Sequence, residues 1–292
     1  MELNQPSHTA HLVAMSRAAH QILDNPRVFE DPIAARIIGK QKSAEIASAP
    51  DQYKTTSATL VRAFLVARSK YVETALSEAI EREVHQYVIL GAGLDTFPYR
   101  NPYSSELLRV FEVDHPSTQA WKRERIETEG ISIPESLRFV SIDFEKETLE
   151  NQLPKAGFKI NEPSFFSWIG VTMYLTTEAV MDTLKSVGMV AVRGSEIVFD
   201  YMLSPALLSP TGLLSFHARA ARVSAVGEPW KSTFEPNLLA AELHKVGFAI
   251  VEDIGSDGLN ARYFANRTDE LRVDGRARLI KVIINQNQRN DL

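Results

Sequence analysis

Two textures divide the chain. Over residues 1–80, apolar side chains recur every three or four positions. Leu12, Met15, Ala19, Ile22 and Leu23 form one set, and Ile33, Ile37 and Ile38 follow an Asp31-Pro32 helix start. That spacing puts each set on one face of a helix. The longest pattern covers Ser57–Ile80, with Leu60, Phe64, Leu65, Tyr71, Val72, Leu76 and Ile80. After Glu83 the apolar residues gather instead into short runs that end at Gly or Asp. These are His85–Leu90, Leu108–Val113, Leu137–Ile142, Ser164–Val171 and Glu196–Tyr201. Helical segments are predicted between them at Ser117–Glu129, Glu145–Leu153 and Thr176–Val192, and a further helix at Asn237–Val246 leads to runs at Phe248–Ile254 and Ala277–Ile284.

Near-continuous apolar strands alternating with helices predict an α/β fold, a parallel sheet covered on both faces. The expected organisation is a helical cap over residues 1–80 and a Rossmann-like doubly wound domain over 81–292. Residues 202–236, rich in Leu, Ser and Pro, form a long connection after the fifth strand, placed to cover a ligand.

Composition narrows the chemistry. The 292 residues carry 32 Lys+Arg against 37 Asp+Glu, a net charge of −5, which argues against a nucleic-acid partner. The absence of Cys excludes disulfides, iron–sulfur clusters, thiolate zinc sites and cysteine nucleophiles. The seven histidines include no i, i+4 pair, so no metal site is expected. No run approaches 18 uninterrupted apolar residues and the first twenty lack a signal-peptide core, so no membrane association is expected and the expected location is the cytoplasm. Neither a Gly-x-Ser-x-Gly elbow nor a Gly-x-x-x-x-Gly-Lys phosphate loop is present.

The candidate site lies at the ends of the strands. The first run is followed by Gly91-Ala92-Gly93-Leu94-Asp95-Thr96, where glycines permit close approach of a ligand or simply a tight turn. Thr96 stands where a dinucleotide fingerprint needs its third Gly or Ala, and Pro98 follows. The second run ends in Glu112-Val113-Asp114, and a carboxylate there suits a ribose diol; Asp114, nearer the strand's end, is preferred over Glu112. The third ends in Asp143-Phe144, where the carboxylate can accept from an exocyclic amine and the next N–H can donate to a ring nitrogen, or where Asp143 is only a helix N-cap. Gly91, Asp114, Asp143 and Gly170 recur at intervals of about one strand–helix unit, which would align all four along one sheet edge. Arg68, on the predicted helix before the sheet, can clasp a carboxylate or remain a solvated charge. Tyr174, Tyr201, His217 and Arg222 are acceptor-side candidates without a readable motif; Phe216, Trp230 and Phe234 suit an apolar, aromatic acceptor or the core. Phe165 and Ile169 read as core.

Several motifs in one order carry a resemblance. VILGAGLDTFPYR, VFEVDHPSTQAWK, FFSWIGVTMYLT, GEPWKSTFEP, VGFAIVEDIG and NARYF, preceded by SRAAHQILDNPRVFEDPIA and ARSKYVE, resemble the leucine carboxyl methyltransferase family from about Ser16 to Val282. They look most like its branch of S-adenosylmethionine-dependent O-methyltransferases of polyketide and other secondary metabolism. The resemblance implies a class I methyltransferase fold: seven strands with the last antiparallel, topped by N-terminal helices. It implies S-adenosyl-L-methionine as co-substrate and a small-molecule acceptor. Arg68 matches the family arginine that holds the methionyl carboxylate, Gly91 and Gly93 its glycine loop, Asp114 its ribose acid, and Asp143 with Phe144 its adenine-reading pair. Ile169 stands where the protein-phosphatase-methylating members carry Glu, which puts methylation of a protein C-terminus in doubt. An NAD(P)-dependent oxidoreductase and a non-catalytic ligand-binding module remain the competing readings.

Overall fold

The structure is a computed structural model that describes residues 7–143 and 146–285. Five helices come first: α1 (His8–Leu23), α2 (Ala34–Ile37), α3 (Lys40–Ser48), α4 (Asp51–Lys54) and the long α5 (Thr56–Glu81). Strands and helices then alternate: β1 (Gln86–Leu90), β2 (Arg109–Asp114), α6 (Pro116–Thr128), β3 (Leu137–Ser141), α7 (Leu149–Gln152), β4 (Phe165–Trp168), α8 (Thr177–Val190) and β5 (Glu196–Met202). The chain ends through α9 (Pro210–Ala225), α10 (Pro236–Lys245), β6 (Phe248–Ile254), α11 (Ser256–Tyr263) and β7 (Ala277–Ile284).

The seven strands form one sheet in the order β3-β2-β1-β4-β5-β7-β6, with β7 alone running antiparallel to its neighbours. This is the doubly wound sheet with an antiparallel final strand that was expected. Alternate strand residues feed opposite layers, as the two-residue period of a strand requires. Val88, Phe111, Phe166, Ile197 and Phe199 pack with Val180 and Leu184 of α8 and Leu239 and Leu243 of α10. Tyr87, Ile89, Val110, Phe165 and Val198 pack on the other face against Ala67, Tyr71, Ala75 and Leu76 of α5, and against Leu259 of α11. Helix α5 is thus one of the layers that cover the sheet. Both faces being buried explains why the strands read as unbroken apolar runs.

The chain lays β2 and β3 to one side of β1 and then returns on its other side as β4, so β1 and β4 flank the point where the winding reverses. Ligands of such sheets bind outside the carboxyl ends of the strands at that point. Three local expectations differ from the structure. The segment expected to be helical over 145–153 contains, among the described residues, only the single turn α7. The connection over 202–236 contains a sixteen-residue helix, α9, started by Ser209 capping the Gly212 N–H and by Pro210 in the first turn. Helix α11 was not expected, because Leu259 is its one buried side chain. Residues 202–236 leave the sheet at Met202 and come back beside it, where the Phe234 N–H donates to Met202 O and the Ser204 N–H to Phe234 O. Among the described residues no helix is long and apolar enough to cross a membrane.

Candidate functional site

The strand register sets the level of the site. Leu90 pairs with Val113, Asp114 with Ser141, Ile89 with Ser167, and Trp168 with Phe199. One step further along each strand brings Gly91, Asp114, Ile169 and Asp200 to the same rung, with Gly170 and Asp143 just beyond it. The four positions picked by spacing therefore do share the carboxyl edge.

Arg68 reaches this edge from α5. It is 6% exposed. Its Nη1 donates to Asp200 Oδ2 at 2.7 Å, and the other Asp200 oxygen accepts the Gly170 N–H at 2.6 Å. Thr172 Oγ donates to the Asp200 carbonyl at 2.6 Å, tying the loop after β4 to β5. Gly170 has φ +74°, and a β-carbon built on it would lie 2.8 Å from Arg68 Nη2. Glycine is required there both by the left-handed backbone and by the guanidinium stacked against it. Arg68 is therefore a fixed, buried cation, and the solvated-charge alternative does not describe it.

Asp114 ends β2. Its Oδ2 accepts the Gly93 N–H at 2.6 Å and its Oδ1 accepts the His115 N–H at 2.7 Å. Burial raises its pKa, while those two amides pull it down. A carboxylate has about four acceptor positions, so each oxygen keeps one for a further donor. Glu112 is engaged differently. It is fully buried beneath the site, accepts Lys122 Nζ at 2.5 Å, and leaves Oε2 without a partner. Burial pushes it up to about 7.

Gly91 has φ +66°, and a β-carbon on it would come within 2.5 Å of Val171 Cγ2. The close approach that demands glycine here is made by the protein itself. Ala92 is buried, with its N–H donating to Val113 O at 3.2 Å. Gly93 lies beneath Ala10 of α1. The turn continues into a 3-10 segment, Phe97–Arg100, and not into an α-helix. Thr96 is fully buried and donates to Asp31 Oδ2 at 2.7 Å, which explains a hydroxyl residue in place of a third glycine. Asp143 follows β3, and its Oδ2 accepts Lys146 Nζ at 2.6 Å. Phe144 lies outside the described residues.

Two elements cover this edge. Helix α1 is held to the glycine turn by Arg17, whose Nη2 donates to Leu94 O at 2.5 Å. Its first turn is capped by Glu228, from the 202–236 excursion, which accepts the His8 N–H at 2.8 Å and the Thr9 N–H at 3.1 Å. Of the acceptor-side candidates, Tyr174 lies half-buried next to Met173, Met202, Phe216 and Trp230. Burial raises its pKa, and Thr9 and Trp230 beside it pull it down. Tyr201 is fully buried and donates to Asp253 Oδ2 at 2.7 Å, with Phe234 against its ring; both belong to the core. His217 and Arg222 are exposed on α9. Phe165 and Ile169 pack in the α5-side core. Asp200, Arg17 and Glu228 escaped the sequence reading; an isolated carboxylate in the apolar strand Ile197-Val198-Phe199-Asp200-Tyr201 was the one readable signal.

The sequence profile of the leucine carboxyl methyltransferase family matches residues 10–188. The chain belongs to the leucine carboxyl methyltransferase family. A family relative from Bacillus subtilis (strain 168), named "Putative S-adenosyl-L-methionine-dependent methyltransferase YktD", is 33% identical over 93% of this chain and 95% of its own. One from Mycobacterium marinum, with the same generic name, is 28% identical over 74% of this chain and 72% of its own. Among solved structures, a "putative methyltransferase" from Thermobifida fusca superposes with a TM-score of 0.58 at 15% identity, over 98% of this chain and 97% of that one. A DUF574 family protein from Streptomyces avermitilis gives 0.57 at 13% identity, over 96% and 98%. These two likenesses establish that this family member has the class I methyltransferase fold.

Proposed function

We propose that this chain transfers a methyl group from S-adenosyl-L-methionine to an oxygen of a small, apolar acceptor. The observation that carries the reading is the buried guanidinium of Arg68 at the tip of β4. Asp200 takes one of its N–H groups, and no other hydrogen bond from Arg68 to a described residue is made. An arginine so placed, with donors left over, is suited to a carboxylate. The remaining residues fit the co-substrate. The spare acceptor positions of Asp114 suit the ribose diol, and Asp143 at the end of β3 suits the adenine amine. The names of the relatives point the same way.

When bound, S-adenosyl-L-methionine supplies a methyl group already activated by its sulfonium. The work left to the protein is placement: an acceptor oxygen held about 3 Å from the methyl carbon and in line with the leaving sulfur. Arg68 and Asp114 would fix the two ends of the donor. Tyr174 and the aromatic residues of the 202–236 excursion would enclose the acceptor and exclude water. A carboxylate acceptor needs no base; a phenol would have to lose its proton. Position 169 itself carries Ile and no carboxylate, and the neighbouring Asp200 is engaged by Arg68 and the Gly170 N–H, which supports a small acceptor over a protein C-terminus. The 3-10 segment after the glycine turn offers no α-helix N-terminus for a pyrophosphate, which weighs against the oxidoreductase.

Isothermal titration provides the test. S-adenosyl-L-methionine and its demethylated product bind with micromolar affinity, and NADH does not; the reverse pattern overturns the proposal. A screen of carboxylic acids, phenols and polyketides with radiolabelled methyl donor, read by mass spectrometry, then identifies the methylated atom.

A further inference from the structure

Helix α6 turns an unusual face to the sheet. Its buried residues are Thr118, Gln119, Lys122 and Ile126, three of them polar where an amphipathic helix buries apolar side chains. Gln119 is engaged locally: its Nε2 donates to Glu112 O at 3.2 Å and its Oε1 accepts the Ser141 hydroxyl at 2.5 Å. Lys122 is 1% exposed, two turns along from His115, which caps the helix next to Asp114. Its Nζ donates to Glu112 Oε1 at 2.5 Å and lies 5.5 Å from the centre of the Tyr99 ring. Taking an ammonium this far out of water is costly even with a partner.

Glu112 and Asp114 are two positions apart on β2, so their side chains leave the same face of the sheet. Asp95, from the glycine turn, adds a third negative charge to the surroundings of Glu112. Asp95 has a cation of its own, Arg17 of α1 at 4.0 Å. The cation that acts on both Glu112 and Asp114 is Lys122. Three other groups face the cluster. The Tyr99 hydroxyl, like Glu112 Oε2, has no hydrogen-bond partner. The His115 ring is turned to the Ser117 hydroxyl at 2.8 Å. Arg123 is exposed, 4.1 Å from the centre of the Phe139 ring.

The two β2 carboxylates are unequally supported. Asp114 has two backbone amides to hold its charge, and Glu112 has Lys122 and one oxygen left bare. Burial pushes Glu112 up to about 7, so it takes a proton early as pH falls. From then on the Lys122 charge is no longer cancelled by its partner, and it acts on Asp114. We infer that Lys122 is a positioning residue for the methyl donor: from beneath the site its ammonium keeps Asp114 an anion ready to accept the ribose hydroxyls, while Glu112 is the member of the cluster that gives up its charge. The inference rests on the proposed function for the ribose and on the cluster alone for the charge of Asp114.

The test follows the carboxyl carbons of Glu112 and Asp114 by carbon-13 NMR in the full chain, assigned through their own backbone signals, from about pH 4 to about pH 8. S-adenosylhomocysteine is titrated over the same range. In the wild type Glu112 takes its proton at higher pH than Asp114. Glu112→Gln/Lys122→Met removes the pair without leaving a lone buried charge. In it the Asp114 midpoint rises by about one pH unit or more, and S-adenosylhomocysteine binding is lost at a correspondingly higher pH while staying near wild type at about pH 8. Glu112→Gln alone leaves the Asp114 midpoint unchanged or lower, because a neighbouring negative charge is gone. Thermal unfolding confirms that each variant is folded. A purely structural Lys122 would weaken binding equally at every pH. Protonation of Asp114 before Glu112 in the wild type, or an Asp114 midpoint that coincides in wild type and double variant, overturns the inference. If the wild type binds no S-adenosylhomocysteine at any pH, the methyl-transfer reading falls instead, and the carboxyl titrations still decide the role of Lys122.

Discussion

Asp200 holds Arg68 across 132 residues of sequence, with Oδ2 accepting Nη1 at 2.7 Å while Oδ1 accepts the Gly170 N–H. One carboxylate thus fixes both the cation and the backbone turn on which it rests. Asp200→Asn keeps the shape but not the charge, and Arg68 is free to turn away. S-adenosyl-L-methionine affinity then falls about tenfold or more, measured by titration. Asp200→Ala leaves a buried guanidinium uncompensated and costs about 3–5 kcal/mol of stability in urea unfolding. Unchanged affinity in Asp200→Asn shows that Arg68 needs no orienting partner.

Asp114 is already bound to two backbone amides, so its removal has two effects. In Asp114→Ala the Gly93 and His115 N–H groups lose their acceptor, and the ribose loses a charged one. Co-substrate affinity drops by about 1–3 kcal/mol, the scale of hydrogen bonds to a charged group. Titration with S-adenosylhomocysteine reads the loss directly; if affinity is unchanged, the ribose is held elsewhere.

The pattern of what could be read from sequence follows the range of the interactions. The strands were legible because burial on both faces makes each a continuous apolar run, and Gly91, Asp114 and Asp143 because one strand–helix unit separates them. Helix α9 was hidden by a composition rich in Leu, Ser and Pro, although its Ser209-Pro210 start is a local signal. The roles of Asp200 and Glu228 were not legible, since each is defined by a partner 132 and 220 residues away. Gly91 shows the converse: the need for a small residue in a tight turn was readable, but the atom that needs the space belongs to Val171, which no local pattern specifies.

Glu112 makes stability depend on pH. Burial pushes its pKa from an ordinary 4.5 up to about 7, against the pull of Lys122. The folded state therefore holds this proton more tightly than the unfolded chain. Its stabilising contribution is complete below about pH 4.5 and is lost as pH rises through about 7. Urea unfolding of the wild type across that window carries this downward component with rising pH, and Glu112→Gln removes it. An identical slope in wild type and Glu112→Gln would falsify the assignment.

Glu228 joins the 202–236 excursion to the start of α1, accepting the His8 and Thr9 N–H groups. A carboxylate at a helix N-terminus satisfies orphan amides and the helix dipole together. In Glu228→Ala the loss is about 0.5–2 kcal/mol and local. Hydrogen exchange is the sensitive measurement: amides of the first turns of α1 exchange faster, while those of β1 and β4 do not. Uniform protection in both proteins means that α1 is held by its Ser7 cap, Arg17 and packing without Glu228.

Gly170 tests the edge from the backbone side. Any β-carbon there meets two penalties at once. The left-handed φ of +74° is strained for alanine, by about 1–2 kcal/mol, and the new methyl would lie 2.8 Å from Arg68 Nη2. The guanidinium is the more mobile partner, so it moves and strains its bond to Asp200. Gly170→Ala therefore loses co-substrate affinity along with stability, whereas Gly194→Ala, at φ +89° with open space around it, loses stability only. Comparing the two variants by titration and thermal unfolding separates backbone strain from displacement of Arg68. Equal co-substrate affinity in both variants would leave Arg68 without a role in binding the donor.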